Sequence, residues 1–504
     1  MKGLSQVAVT EAPSSRAQRT YGNWRRPTSP GLIGLGSIGT LGLVIGLLAV
    51  IFTMMVRGLG DALLVAAFLG LVLLVLLSKD RHQLSLLSRM AARVAWWSAR
   101  SGGTHLYRSG PLGRALWGTY QLPGLAAPTR LSEHADSYGR RFALLYTPAS
   151  ATFSIVIGTE PDGAALVDQA QIDLWVADWG HWLANLADEP GVEAASVTLE
   201  TAPDSGTRLR RQVAANLDPG APAFARAMLT ETVEQYPSGS STVKAYIAVT
   251  FSALRRSPEE MGRELGARIP GLTHTLGSTG AGAARPLCAQ ELCEMIRVAY
   301  DPAVAPLIDQ AHAQGETPEL SWPDVGPTAH EASWDGYRHD SAYSVTWSMT
   351  GAPRGVVQSG VLARLLAPHR EIARKRVTLL YRPISPAKAA GLVEADLRAA
   401  EFASTATSKP AARDVLAVRA AAATASEEAS GAGLVNFGLL VTATVLTRDR
   451  EPDARAAIDN LAATARLRLR PVYGSQDSAF AAALPLGLIL SKHLRVPAEM
   501  RGKL

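Results

Sequence analysis

The feature that most constrains this chain is an uncharged apolar run followed at once by a second. Gly31–Val56 reads GLIGLGSIGTLGLVIGLLAVIFTMMV; after Arg57-Gly58-Leu59-Gly60-Asp61, Ala62–Leu77 reads ALLVAAFLGLVLLVLL. A helix that crosses a bilayer needs roughly 20 apolar residues. The first run exceeds that length, and the second reaches it if Leu59, Gly60 and Ser78 are counted. Lipid offers no partner to a backbone N–H or C=O, so helices are the form such runs take there. The short connection leaves room only for an antiparallel pair. The sequence therefore predicts a two-span transmembrane hairpin over 31–78. Gly34, Gly36, Gly39, Gly42 and Gly46 give the first helix a line of small residues that permits close helix approach.

Basic residues flank the hairpin on both sides. Lys2, Arg16, Arg19, Arg25 and Arg26 precede it; Lys79, Arg81, Arg89, Arg93, Arg100 and Arg108 follow; the loop holds Arg57 beside Asp61. By the positive-inside rule both termini are expected in the cytoplasm of a multi-pass protein of the cell membrane. Trp24, Arg25 and Arg26 before the spans, with Lys79 and Arg81 after them, form the expected membrane anchor. Residues 80–100 continue as a basic amphipathic helix suited to a bilayer surface. The whole chain carries a formal charge of +6, yet residues 1–110 carry +9, so the remainder is at −3. That distribution argues against a strong nucleic-acid groove in the body. Cys288 and Cys293, five apart on a predicted helix, do not share a face and read as inert thiols.

From Phe142 onward the pattern is globular. Strands are predicted at 143–146, 153–158, 195–201, 243–252 and 272–276, and again at 344–349, 377–382, 436–446 and 467–473. Helices are predicted near 164–187, 207–217, 222–235, 258–269 and 288–299, then 357–367, 386–403, 411–428, 452–465 and 476–483. The order repeats. Val197-Thr198-Leu199 with Pro203 and Ser205 corresponds to Val377-Thr378-Leu379 with Pro383 and Ser385, an offset of 180. An internal duplication of two ferredoxin-like split β-α-β units follows. The expected architecture is a membrane-anchored α+β protein: a tail (1–30), the hairpin (31–78), a basic juxtamembrane segment (79–125), a first unit (126–300), a Pro-rich linker (301–342), a second unit (343–490) and a C-terminal tail (491–504).

No catalytic constellation emerges. The chain has no G-x-x-x-x-G-K phosphate loop, no H-E-x-x-H, no G-x-S-x-G and no C-x-x-C. Trp175, Trp179 and Trp182 fall on one helix face and read as core. Asp168, Asp173 and Asp178 are spaced so that they scatter around the helix instead of converging on a metal. Neither a cofactor nor a metal is expected, and the chain is not expected to be an enzyme.

Two stretches carry a resemblance. YGNWRRP ahead of a helical hairpin with a basic exit resembles the small two-span inner-membrane subunit of bacterial type IV secretion and conjugation machines. The end of the body, with Gln476, Phe480, Leu484 and Pro485 as Q-x-x-x-F-x-x-x-L-P, is similar to the close of the N-terminal domain of conjugation ATPases of the TraC/TrbE kind, at the point where their motor begins. The arrangement resembles membrane proteins of actinobacterial integrative conjugative elements. The resemblance implies a scaffold, present in several copies, that holds a separate P-loop ATPase, with those four residues as candidate docking positions. The rival reading is a membrane subunit of a type VII protein secretion system.

Overall fold

The computed structural model describes residues 19–22, 24, 36–77, 86–113, 119–161, 163–164, 166–204, 206–235, 241–353, 355–406 and 411–493. Helices α1 (Gly36–Arg57) and α2 (Leu59–Leu77) are separated by Gly58 alone, whose φ of +92° suits a residue without a Cβ. The two run antiparallel. Gly46 lies against Leu69, so close that an added Cβ would stand 2.5 Å from its Cδ1, which places this glycine against the partner helix. Helix α3 (Leu86–Ser101) follows.

The transmembrane expectation is corrected. Among the described residues no helix is long and apolar enough to cross a membrane. The two-span anchor, the multi-pass membrane location and the assignment as a membrane-anchored fold are overturned on the same ground.

What the chain builds is an α+β body on one 13-stranded sheet in which every strand pairing is antiparallel. The first repeat contributes β4 (Thr152–Glu160), α4 (Gln169–Asp188), β5 (Val192–Pro203), α5 (Thr207–Asn216), α6 (Ala223–Gln235), β6 (Ser241–Ser252), α7 (Pro258–His274) and β7 (Ala283–Pro286), preceded by β1 (Leu106–Arg108), β2 (Arg130–Ala135) and β3 (Arg141–Thr147). After α8 (Ala289–Tyr300) and α9 (Ala305–Gln314) come β8 (Ala329–Ala332) and β9 (Tyr337–His339). The second repeat is β10 (Ala342–Gly351), α10 (Ala363–Leu366), β11 (Arg374–Pro383), α11 (Pro386–Thr405), α12 (Ala412–Ala429), β12 (Val435–Val445), α13 (Glu451–Thr464) and β13 (Arg468–Pro471), closed by α14 (Gln476–Ala482).

The strands run β7-β4-β6-β5 in the first repeat and β13-β10-β12-β11 in the second, the same order in both. The repeats are not separate units. They join edge to edge through β5 and β11, where Val197, Thr198 and Leu199 face Leu379, Thr378 and Val377. The offset of 180 in sequence thus becomes a pseudo-twofold axis through Thr198 and Thr378, whose hydroxyls hydrogen-bond at 3.1 Å. Residues 301–342, expected as a linker, instead supply α9 and two strands that extend the sheet.

Side chains alternate across each strand, so the sheet has two distinct faces. On one, Phe153, Ile155, Ile247, Val249 and Phe251 pack under Trp182 of α4 and Leu265 of α7; Val345, Trp347, Leu439 and Val441 pack under Leu365 of α10 and Ile458 of α13. The other face carries a row of buried hydroxyls. Ser154 bonds Thr250, Thr346 bonds Thr442 and Ser344 bonds Thr444, each within 3.0 Å. This row is roofed by α8 and by the segment 476–489.

Candidate binding cavity

The C-terminal segment holds the position that the resemblance gave to docking residues, and it lies inside the molecule. Gln476 is fully buried; its Oε1 accepts from Thr346 N at 2.8 Å and its Nε2 donates to Thr346 O at 3.1 Å. The side-chain amide therefore completes β10 as a neighbouring strand would. Further on, Thr378 Oγ1 donates to Ala483 O at 2.7 Å and Thr250 Oγ1 to Gly487 O at 3.1 Å. Gly487 has φ +67°, and a Cβ there would fall 2.2 Å from Ser154 Oγ. Phe480 is fully buried and Leu484 and Pro485 are buried with it. These four side chains hold the roof to the sheet.

The anchor residues are placed differently from expectation where they are described. Tyr21 pairs with Val357 by two backbone bonds of 2.8 Å, and its hydroxyl donates to Asp173 at 3.3 Å. Trp24 packs on Phe437 with ring centroids 5.3 Å apart. The tail segment thus clamps onto the body. Arg25, Arg26, Lys79 and Arg81 lie outside the described residues. Trp179 and Trp182 stack at 4.9 Å, as their helical spacing predicts for core.

A cavity of about 930 Å³ opens where β4 and β5 end and β6 begins, walled by β7, α8 and α9. Its floor is an ion cluster. Glu200, buried, takes Arg376 Nε at 3.0 Å and Arg374 at 3.0 Å. Burial pulls the Glu200 carboxyl up, but the charges of Arg376 and Arg374 and the hydrogen bond from Arg376 outweigh it and hold the group below the usual range. Arg285 grips Glu291 with both terminal nitrogens, at 2.8 and 2.6 Å, and His312 meets Glu294 at 2.8 Å. Tyr246 on the wall has its phenol pushed well up by burial, then by Glu200. Nearby, burial raises the Cys288 thiol and pushes Cys293 up to about 12, so neither supplies a thiolate. The cavity is lined with these ion pairs, with the further charged groups Glu160, Asp204, Arg211, Lys244 and Asp309, and with apolar wall from Met295, Val298 and Ile308. Among the described lining residues no nucleophile is set beside a base. Among the described residues no group of histidine, cysteine and acidic side chains is placed to hold a metal.

Two histidines, His330 and His339, sit in the core. His339 Nδ1 meets Tyr300 O at 2.5 Å and Nε2 meets Ser344 Oγ at 2.8 Å; His330 stacks on Tyr107 at 5.3 Å. Burial lowers them to about 4 and about 3. Both are neutral when folded and protonate more readily when unfolded, so the unfolded state binds more protons below an unfolded pKa of about 6.5. Stability is then expected to fall as pH drops from 7 to 5. Urea midpoints across that range check this, and His339→Gln should flatten the slope.

A family described as a domain of unknown function (DUF8461) matches residues 28–88, a stretch that takes in α1, α2 and the start of α3. No curated protein matches the chain.

Proposed function

We propose that this protein is a non-catalytic scaffold that docks a separate P-loop ATPase in a conjugative, type IV secretion-like DNA transfer machine, and that it works as an assembly of several copies. The observation that carries the scaffold reading is the hairpin. Phe52, Met55, Leu64 and Phe68 are each exposed by two thirds or more, among a dense set of open Leu, Ile, Val and Met side chains. Contiguous apolar surface of this kind marks an interaction site. The ion pairs of Glu200 with Arg374 and Arg376, and of Arg285 with Glu291, agree with binding over catalysis. The choice of an ATPase as partner rests on the resemblance in 476–485.

Affinity purification of the tagged full-length chain, followed by cross-linking and mass spectrometry, tests this. Recovery of a P-loop ATPase with cross-links in 126–490 is the expected result. Recovery of type VII components, or of no partner at low salt, overturns it. For the hairpin, Leu64→Glu with Phe68→Glu is expected to reduce the assembly to smaller species in mass photometry. Both sites are exposed, so the melting of the body should stay nearly unchanged.

A further inference from the structure

A second cavity, of about 670 Å³, lies between α3 and the second repeat. Its lining is charged in one sense: Arg89, Arg93, Arg455 and Arg470 against the single carboxylate of Asp459. Arg455 is already ion-paired with Glu451 and with Asp335. Arg89 and Arg93 pair with no carboxylate among the described residues. Arg93 is held in place by an aromatic ring instead, its guanidinium 4.7 Å from the centroid of Trp334. Trp334 stacks on Tyr473 at 5.7 Å, with planes 20° apart, and Arg470 lies 4.9 Å from the Tyr473 ring. Trp96 closes the back of this group edge-on to Trp334 at 6.2 Å.

An arginine resting flat on a ring keeps its N–H edge free and loses little freedom when that edge binds an anion. A guanidinium fork matches phosphate oxygens in pairs. The two aromatic faces are already covered by guanidinium groups, so the cleft offers charge and N–H edges in place of a stacking platform. Its volume falls within the ~300–1,000 Å³ of small-molecule sites. We infer that this cleft binds a phosphate-bearing small ligand through its di- or triphosphate group, with Arg89 and Arg93 as the anion contacts. The inference stands apart from the scaffold reading, because neither the hairpin nor the C-terminal roof contributes to it.

Titration calorimetry on the full-length protein with inorganic tripolyphosphate and with ATP tests it. Saturable binding of tripolyphosphate is expected, weakened roughly tenfold or more by Arg89→Ala with Arg93→Ala. Arg226→Ala with Arg263→Ala, an equal loss of charge on exposed sites outside both cavities, should leave it unchanged. Tighter binding of ATP than of tripolyphosphate would identify the source as a nucleotide; equal affinities would identify inorganic polyphosphate. No saturable binding, equal loss in both double variants, or binding of a single-stranded oligonucleotide without binding of tripolyphosphate would overturn it.

Discussion

Phe480→Ala is expected to destabilise the protein by about 3–5 kcal/mol, the range for deleting a fully buried aromatic side chain. Phe480 has no exposed surface. Its ring lies 5.2 Å from Tyr300, 5.1 Å from Tyr337 and 4.8 Å from His339, with the Arg376 guanidinium 5.5 Å away over its face. Removing it opens a void beneath the roof where three aromatic rings and one buried charge meet, and the surrounding sheet cannot close that void without breaking the hydroxyl row. Phe480→Leu keeps most of the volume and should recover a good part of the loss. Urea denaturation of both variants measures this. A residue that docked a partner from the surface would behave otherwise, losing affinity while leaving the urea midpoint in place.

Much of the secondary structure was legible because local pattern carried it. Alternation on 153–158 and 243–252, and helical spacing on 386–403 and 452–465, lead to β4, β6, α11 and α13 with ends moved by a few residues. The repeat was legible too, in five residues at an offset of 180, though only the structure turns that offset into a shared seam. The strand expected at 272–276 failed: α7 runs on through Pro270 to His274. Pro270 has no N–H to give Gly266 O, but Ser137 N bonds that carbonyl at 3.1 Å, and Ile269 and Leu272 anchor the last turn in the core. The prolines of 301–342 misled in the opposite way. Pro302, Pro306 and Pro323 begin helical turns, where a missing N–H is harmless.

The candidate site was harder to read because its parts lie far apart in sequence. Alternating Ser and Thr on β4, β6, β10 and β12 suggest a wetted face. Their actual cover is a distant segment of the chain, 237 residues away in the bond from Thr250 to Gly487. The Glu200–Arg376 pair spans 176 residues and leaves no local signature. Arg374-Lys375-Arg376, three cations in a row, stood just ahead of the strand expected at 377–382; the structure takes all three into β11. Lys375 on that run is buried and donates to Ala367 O; burial alone lowers it to about 8.

Glu200→Gln is the sharpest test of that buried cluster. It leaves Arg374 and Arg376 in the interior without a counter-charge, and Arg374 Nε and Arg376 Nη1 already lack hydrogen-bond partners. Removing one member of a buried ion pair costs about 3–5 kcal/mol, most of it the burden of the stranded charge. The effect has a defined pH dependence. Because the folded-state pKa of Glu200 lies below its unfolded value, its contribution is fully present above the unfolded pKa of about 4.3 and is lost as pH falls through the folded pKa. Wild-type and variant should therefore differ by the full amount at pH 7 and by about the same at pH 5, and converge as pH drops below 4. Urea midpoints at pH 7, 5 and 3.5 measure it. A difference that stays constant down to pH 3.5 would mean that the carboxylate's charge is not what holds the two arginines, and that the glutamine variant fails for reasons of shape alone.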